Sequence, residues 1–469
     1  MLELQDTIVA ISTPPGVGAI SIVRMSGPNA IDICDKVFHS MANKKLADQP
    51  ANTLHHGYIM DGNSIVDEVI VGLFREPHSY TGEDIVEISC HGSLFIQQKL
   101  LELLISKGAR LAKPGEFTLR AFLNGKIDLS QAEAIADLIS STSASLQKIA
   151  IHQMRGGFTK ELKDLRDKLI NFVSLIELEL DFGEEDVEFA DRSELKNLLS
   201  NIINYINKLK DSFRLGNAIK RGIPVAIAGK TNTGKSTLLN LLLKEDKAIV
   251  SDIPGTTRDV IEDTISINGF LFRFIDTAGL RHTHDVVEKI GIEKALKKIN
   301  QADIILYVID GTDEIETVLQ DFNVFYEKIK ANQKKLIIVI NKLDAINQNQ
   351  KNRIFEKFKN FISEDLKIVF LSAKYNINLE ELENILLQIS GCMNIKEEQV
   401  IVVNIRHYEA LLRSYEALKR VMEGLEKNLP GDLLSQDIRE AIHYIGEITG
   451  EVTNDEILNN IFKNFCIGK

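Results

Sequence analysis

Residues 229–236, "GKTNTGKS", have the types and spacing needed to hold phosphate groups. They match the pattern G-x-x-x-x-G-K-[ST] and follow an apolar run, "GIPVAIA", that is typical of a strand. The glycines allow backbone N–H groups to turn towards phosphate oxygens, and the amino terminus of the next helix adds a favourable field. Lys235 is predicted to contact the β- and γ-phosphates, and Ser236 to bind Mg²⁺.

The motif "NKLD" predicts that the base is guanine. The carboxylate of Asp344 can accept hydrogen bonds from both the N1 and the N2 donors of guanine, whereas adenine offers no such pair. The motif "SAK", residues 372–374, is expected to form a loop behind the base. "GTTRD" supplies threonines that close over the metal, and "DTAG" supplies a carboxylate for the metal shell and a backbone N–H for the γ-phosphate. Five motifs in this order predict a GTPase domain.

Within these motifs, Ser236 and Thr257 are the predicted Mg²⁺ ligands, and Lys235 is also a predicted catalytic residue. Leu280 follows "DTAG", where Ras-like enzymes place a glutamine that orients the attacking water. An apolar side chain cannot hold that water, so another group must do so. The predicted GTP-binding residues are Asn232, Thr233, Gly234, Lys235, Ser236, Thr237, Ser251, Asp252, Ile253, Pro254, Gly255, Thr256, Thr257, Asp276, Thr277, Ala278, Gly279, Asn341, Lys342, Asp344, Ser372, Ala373 and Lys374.

Asn232, inside the phosphate loop, has two interpretations. Its side-chain oxygen can bind a monovalent cation, which would place a positive charge where an arginine finger acts in other GTPases. Alternatively, Asn is favoured there only for its turn geometry.

The elements around these motifs predict three kinds of domain. Short apolar runs such as "ADIILYVIDG" and "KLIIVINKLD" alternate with helical patterns, which is typical of a doubly wound, mostly parallel α/β sheet with its ligand at the carboxyl ends of the strands. We assign this domain to residues 216–385. Apolar stripes at helical spacing flank it and predict one discontinuous helical-bundle domain, residues 120–215 and 386–469. Residues 1–119 mix β-rich runs, Gly/Pro turns and helical patterns, which predicts an α+β domain.

Composition limits the possible partners and compartments. The 469 residues carry a formal net charge of −12, so a surface that is basic throughout and binds nucleic acid everywhere is excluded, and nucleic-acid contacts must be local or shared. No signal-peptide pattern and no apolar run of about 20 residues is present, which predicts a cytoplasmic protein without a membrane anchor. The cysteines are too scattered to indicate a disulfide framework or a zinc site: they are Cys34, Cys90, Cys392 and Cys466.

The chain ends in "NFCIGK", which puts Cys466 fourth from the end as in a prenylation motif. Gly468 and Lys469 do not fit that motif, so another reason for this cysteine is needed.

The ending "FCIGK", the phosphate loop with its asparagine, "GTTRD" and "DTAGLR" together resemble the MnmE (TrmE) family of tRNA-modification GTPases. The amino-terminal runs "TPPGVGAISIVRMSG", "YTGEDIVEISCHG" and "PGEFTLRAFLNGKIDLSQAEAIADLI" are similar to that family as well. The resemblance extends over essentially the whole chain. It departs from the family pattern in the phosphate loop, where Lys230 and Thr231 replace the frequent Arg and Pro, and at Ser251, where Thr is usual.

The resemblance implies an amino-terminal domain that binds a one-carbon tetrahydrofolate and mediates homodimerisation, a helical domain split around the G domain, and GTP hydrolysis activated by potassium. The implied folate-binding residues are Arg24, Glu87, Lys126 and Lys469. The implied K⁺ ligands are Asn232, Ser251, Ile253 and Thr256. Glu288 corresponds to the acid that positions the attacking water, and Cys466 to a catalytic candidate near the folate.

The resemblance also implies a reaction and a partner. With an FAD-containing partner, MnmG (GidA), such a protein adds an aminomethyl or carboxymethylaminomethyl group to C5 of the wobble uridine of certain tRNAs. The one-carbon unit comes from 5,10-methylene-tetrahydrofolate, of which 5-formyl-tetrahydrofolate is an analogue. The acidic net charge is consistent with a partner that holds much of the tRNA.

Two functions from other classes remain as alternatives. A GTPase switch in ribosome assembly would share the G motifs but typically carries an RNA-binding appendage such as a KH domain, whose GXXG loop the carboxyl-terminal region lacks. A membrane-remodelling GTPase would need a cationic amphipathic or strongly apolar insertion, and none stands out.

Overall fold

The computed structural model describes residues 6–181, 192–245, 263–275, 300–330, 334–392, 400–427, 429–453, 455–463, 465 and 468. The chain divides into two compact units. Unit 1 comprises Met1–Ala136, Ile151–Ala190 and Lys427–Lys469, and unit 2 comprises Asp137–Ala150 and Asp191–Glu426. No helix in the described part of the chain is long and apolar enough to cross a bilayer.

Unit 1 contains a seven-stranded sheet with the order β3-β4-β5-β6-β2-β1-β7, antiparallel throughout except for the pairing of β1 with β7. The strands are β1 Ile8–Ile11, β2 Ile20–Ser26, β3 Phe38–Ser40, β4 Thr53–Asp61, β5 Ser64–Phe74, β6 Ile85–His91 and β7 Arg110–Leu111. Two helices, α1 Ala30–Asp35 and α2 Leu94–Ser106, share the buried core on one side of it. The α+β prediction for this segment is confirmed.

Alternation along β2 explains which face of this sheet is buried. Val23 and Met25 lie in the core, whereas Arg24 points to the opposite face. The pairing register places Arg24 directly opposite Glu87 on β6. The sequence therefore brings two charged side chains from distant segments together on the outer face.

The helices predicted on both sides of residues 216–385 are confirmed, and they pair across that segment. In unit 1, helix α6 (Gly157–Asp181) packs against helix α13 (Gly431–Thr449), and Arg439 forms an ion pair with Glu177 at 2.6 Å. In unit 2, helix α7 (Arg192–Arg221) packs against helix α12 (Ile405–Glu426), and the rings of Phe213 and Tyr408 stack with their centres 4.6 Å apart. The helices outside the G segment are α3 Glu116–Leu123, α4 Leu129–Ile139, α5 Ala144–Met154, α6 Gly157–Asp181, α7 Arg192–Arg221, α12 Ile405–Glu426, α13 Gly431–Thr449 and α14 Asp455–Phe462. The domain boundaries given above stay predictions.

Unit 2 contains a six-stranded sheet with the order β13-β12-β11-β8-β10-β9, in which only β9 runs antiparallel to its neighbour. Its strands are β8 Ile223–Ala228, β9 Asp263–Ile267, β10 Phe270–Phe274, β11 Ile304–Asp310, β12 Lys335–Asn341 and β13 Leu366–Phe370. Its helices are α8 Lys235–Glu245, α9 Ile315–Ile329, α10 Gln348–Phe358 and α11 Leu379–Ser390. Buried apolar clusters cover both faces, as a doubly wound sheet requires.

The strand order reverses between β8 and β11, because the chain first continues to β10 and β9 on one side and then crosses to β11 on the other. Ligands of such sheets bind at the carboxyl ends of the strands at this switch point. The chain therefore has a multidomain α/β fold that places the phosphate loop where a nucleotide is expected.

A tight hairpin joins β9 to β10 through Asn268 and Gly269, whose φ angles are +49° and +81°. The carbonyl of Gly269 accepts a hydrogen bond of 3.2 Å from the backbone N–H of Ser145, in the first turn of α5. Phe270 packs beside Leu146 of the same helix. The hairpin tip is therefore attached to α5 by one hydrogen bond and by apolar contact.

Candidate functional site

The phosphate loop connects β8 to α8 and requires glycine at both glycine positions of the motif. Gly229 and Gly234 have φ angles of +137° and +94°. A Cβ atom on Gly229 would lie 2.2 Å from the carbonyl oxygen of Val308, and one on Gly234 would lie 2.1 Å from Nδ2 of Asn341. Any larger residue would therefore displace either the neighbouring strand or a side chain that holds the loop.

Lys235 lies folded back over this loop. Its Nζ donates a hydrogen bond of 2.9 Å to the carbonyl of Gly229 and another to the carbonyl of Lys230. The same Lys230 carbonyl accepts from Oγ1 of Thr233 at 3.0 Å. Burial lowers the pKa of Lys235. The ammonium group thus sits over the turn where the motif predicts phosphate oxygens.

Asn341 joins two of the predicted motifs to each other. Its Nδ2 donates to the carbonyl of Thr233 at 2.8 Å, and its Oδ1 accepts from the N–H of Ala373 at 3.0 Å. The side chain is buried, with 3% of the residue exposed. Ser372 donates from its hydroxyl to Oδ1 of Asp344. The phosphate loop, "NKLD" and "SAK" therefore meet at one edge of the sheet.

Asp310, at the end of β11, is a functional candidate that sequence reasoning missed. It accepts hydrogen bonds from Nζ of Lys342 and, at 3.0 Å, from the N–H of Thr312. Burial alone would raise the pKa of Asp310, but the hydrogen bonds from Lys342 and Thr312 outweigh it and keep this pKa below its ordinary value. Asp310 therefore orients Lys342, which has a φ of +63°. The signal was available, because the run "ADIILYVID" ends in a carboxylate at the ligand edge.

The remaining predicted nucleotide residues fall into two groups. Among described residues, Ser236 and Thr237 lie exposed in the first turn of α8, and Asn232 is exposed with a φ of +62°. The Nζ of Lys374 lies 5.0 Å from the centre of the Tyr375 ring. The other residues predicted around the γ-phosphate and potassium, apart from Asn232 and Lys235, lie outside the described residues: Ser251, Asp252, Ile253, Pro254, Gly255, Thr256, Thr257, Asp276, Thr277, Ala278, Gly279, Leu280 and Glu288.

Arg24 and Glu87, both predicted to bind folate, are brought together on the outer face of the unit 1 sheet. Nε of Arg24 donates to Oε1 of Glu87 at 2.7 Å. The guanidinium carbon of Arg24 lies 5.5 Å from the centre of the Tyr80 ring and 5.8 Å from that of Phe117. A fixed guanidinium, a carboxylate and the ring of Tyr80 therefore form a corner on this face, with the fully buried ring of Phe117 behind them.

Lys126 and the chain end lie on other elements of unit 1. Nζ of Lys126 donates to the carbonyl of Pro77 at 2.8 Å. The carbonyl of Gly468 accepts a hydrogen bond of 3.0 Å from the hydroxyl of Ser12, which directly follows β1. Because β1 pairs with β2, this fixes the chain end against the strand next to Arg24. Cys466 and Lys469 themselves lie outside the described residues.

A buried charge network around Arg120 was also missed by the sequence reasoning. Arg120 is 1% exposed, and its guanidinium contacts Asp6 at 2.5 Å and both Glu83 and Glu116 at 3.1 Å. Burial raises the pKa of Glu116, but hydrogen bonds from Arg110 and other donors outweigh it, so the net pKa is lowered. No local pattern predicts this network, because three of its members are far apart in the chain.

The sequence matches two family models. The one described as "MnmE helical domain" matches residues 129–466, and the one described as "GTP-binding protein TrmE N-terminus" matches residues 7–126. The chain belongs to the MnmE family. The resemblance drawn from the motifs is confirmed by these matches.

Relatives with full-length similarity support the same assignment. A protein of Bacteroides thetaiotaomicron is 55% identical over 99% of this chain and 100% of its own length, and one of Christiangramia forsetii is 53% identical over 100% of both. Each is named "tRNA modification GTPase MnmE". A GTP-binding protein of Sulfolobus solfataricus, solved with GDP, is 20% identical with a TM-score of 0.28, covering 49% of this chain and 67% of that one.

Proposed function

We propose that this MnmE-family chain hydrolyses GTP in the service of tRNA modification. The observation that carries the GTPase part is the pair of hydrogen bonds made by Asn341, which joins the phosphate loop to the loop behind the base. A site assembled this way holds both ends of one nucleotide. The names of the full-length relatives support the tRNA part.

In this proposal the described residues bind and orient the nucleotide. Lys235 neutralises the β- and γ-phosphates, because its ammonium already faces the loop carbonyls. Asp344 accepts the two donors of guanine, and its contact with Ser372 fixes its direction. Ser236 and Thr257 hold Mg²⁺, which neutralises charge on the phosphates when it is bound.

We further propose that potassium activates hydrolysis through Asn232, Ser251, Ile253 and Thr256. The exposed side chain of Asn232 within the loop supports this assignment. Glu288 positions the attacking water, a role that Leu280 cannot fill because its side chain offers no hydrogen bond.

The one-carbon site is proposed at the Arg24–Glu87 corner. Arg24 binds a carboxylate of 5,10-methylene-tetrahydrofolate, and Glu87 accepts from its pterin N–H groups. Lys126, Lys469 and Cys466 complete the site in this proposal. The contact of Gly468 with Ser12 supports it, because it holds the chain end beside the strand that precedes β2.

The proposed homodimer uses the outer face of the same sheet. In the strand register, Leu54 lies opposite Gly72, Gly72 opposite Glu87, and Glu87 opposite Arg24. Leu54 is 75% exposed and Ile70, on the same face, is 46% exposed. Apolar side chains beside the folate corner would be covered when two copies meet there. An FAD-containing MnmG partner completes the wobble-uridine reaction.

Nucleoside mass spectrometry tests this proposal in cells. Bulk tRNA from a strain that lacks the protein should lose 5-aminomethyl- or 5-carboxymethylaminomethyl-uridine derivatives, and a plasmid copy should restore them. Copies carrying Lys235→Ala or Arg24→Ala should fail to restore them for two separate reasons, loss of the nucleotide and loss of the folate. Unchanged wobble uridines in the deletion strain, with defective ribosomal particles instead, would favour the ribosome-assembly alternative.

A further inference from the structure

Helix α7, Arg192–Arg221, is strongly basic in an acidic chain. It carries seven Lys or Arg side chains and two carboxylates, whereas the whole chain has a formal charge of −12. Positive charge that is concentrated on one helix of an acidic protein is the electrostatic footprint of a local nucleic-acid contact.

Among the basic residues of α7 whose side chains the structure describes, four fall on one stripe: Lys196, Lys210, Arg214 and Arg221. Their separations of 14, 4 and 7 residues are close to whole numbers of helical turns, so the four side chains project to the same side over about 37 Å. Arg214 and Arg221 are exposed, Lys196 is partly exposed, and the Lys210 side chain is 18% exposed. Lys220, off the stripe, is engaged in an ion pair with Asp137 at 2.6 Å. We call these four residues the α7 stripe.

The neighbouring helix α12 adds to the stripe. The Tyr415 ring holds Nζ of Lys210 at 4.5 Å from its centre and Nζ of Lys419, on its own helix, at 4.9 Å. The ring is therefore a cation–π partner for one lysine of each of the two helices. Asp211, which follows Lys210 in the helix, accepts a hydrogen bond of 2.9 Å from Asn207 and lies 3.6 Å from Lys210, so its charge is partly compensated.

We propose that the α7 stripe, with Lys419, binds the phosphate backbone of the tRNA substrate. This proposal rests on the function proposed above and adds the surface that such a substrate would use. A row of cations along one helix contacts successive phosphates without reading bases, so this surface positions tRNA and leaves the choice of tRNA to other contacts.

The test compares two triple variants of the full-length protein. The stripe variant carries Lys196→Gln, Lys210→Gln and Arg214→Gln. The control variant carries Arg353→Gln, Lys357→Gln and Lys359→Gln, which remove three exposed cations within and directly after another basic helix of unit 2, α10. Both lose the same charge, and both should keep the wild-type rate of GTP hydrolysis.

The measurement is the binding of an unmodified tRNA transcript by fluorescence anisotropy across a KCl titration. For the stripe variant, the slope of log K against log [KCl] should become shallower by about 2, since each lost phosphate contact contributes about 0.7–0.9. The control variant should keep the wild-type slope. If the triple stripe variant fails to fold, Arg214→Gln alone should reduce the slope by about 1.

Three results would overturn the proposal. A wild-type slope in the stripe variant, or equal changes of slope in both variants, would reject the α7 stripe as a tRNA-binding surface and leave the proposed function intact. Unchanged tRNA binding combined with lost binding of the FAD-containing partner would show a protein interface instead. The wild-type protein could also fail to bind tRNA at any salt concentration, both alone and with that partner. This result would reject both the binding role of the α7 stripe and the tRNA part of the proposed function.

Discussion

Replacing Asn232 by glycine separates the two explanations for this residue in the phosphate loop. Its backbone is left-handed, with a φ of +62°. Asn tolerates this conformation better than most side chains, so turn geometry alone could explain its presence. Glycine adopts the same conformation without steric cost but offers no oxygen to a cation. Asn232→Gly therefore preserves the turn and removes only the proposed potassium ligand.

The expected effects differ in kind and size. A left-handed residue with a Cβ costs roughly 1–2 kcal/mol, so glycine at this exposed position should leave the free energy of unfolding within about 1 kcal/mol of wild type. Loss of one preorganised electrostatic contact to the transferring phosphoryl group lowers rates by about 10²–10³. Hydrolysis in KCl should therefore fall about 100-fold, to the level seen in NaCl, while GDP affinity is retained.

Single-turnover GTP hydrolysis in KCl and NaCl at equal ionic strength measures this effect. Asn232→Asp is the matched control, because aspartate keeps a side-chain oxygen and also tolerates a left-handed backbone. It should retain stimulation by potassium. A wild-type ratio of the KCl and NaCl rates in Asn232→Gly would refute the assignment of Asn232 as a potassium ligand and leave turn geometry as its role.

Three further outcomes are expected. Glu288→Ala should bind GTP normally but lose GTP turnover, measured as phosphate release in a steady-state hydrolysis assay. Full activity would reject the role of Glu288 in positioning the attacking water. Asn341→Asp should weaken binding of a fluorescent GDP by about 10- to 100-fold, because the buried carbonyl of Thr233 loses its donor at a cost of about 1–3 kcal/mol. The pKa of Glu116 is lower in the folded state than its ordinary value of 4.5, so its carboxylate stabilises the folded state at pH values above 4.5. This stability is lost as the pH falls through the folded pKa. Urea unfolding should therefore show a smaller loss of stability below pH 4.5 in Glu116→Gln than in wild type; equal losses would contradict this.

Local sequence patterns predicted the elements that have a clear period or a fixed turn requirement. The stripe of "DLRDKLINFVSLI" became α6, with Leu165, Leu169, Phe172 and Ile176 all buried. The phosphate loop was predictable for a different reason, because its glycines are required by close backbone approach as well as by the ligand. The helix depends on interactions within a few residues of each other, whereas the loop was predictable from its spacing, although the atoms that crowd its glycines belong to the distant Val308 and Asn341.

Interactions between distant segments were not predictable in this way. The sequence indicated helices on both sides of the G segment, but it did not indicate that α6 pairs with α13 and α7 with α12. Arg120 reads as one charged residue of an amphipathic helix, and only the fold shows that Asp6 and Glu83 surround it. The role of Asp310 depends on Lys342, which directly follows the neighbouring strand β12, and the pattern of one strand cannot reveal that pairing.

The two-residue turn at Asn268 and Gly269 has a mechanical consequence. β10 ends two residues before Asp276, in the motif predicted to sense the γ-phosphate, and its other end touches the first turn of α5. The short turn leaves little freedom for the two strands to move separately, because the ladder pairs them along their length and the tip is hydrogen-bonded to Ser145. The strand therefore links the residues beside Asp276 to the start of α5 over about 16 Å, five residues of strand, and we expect a shift of β10 along its axis to reach that helix.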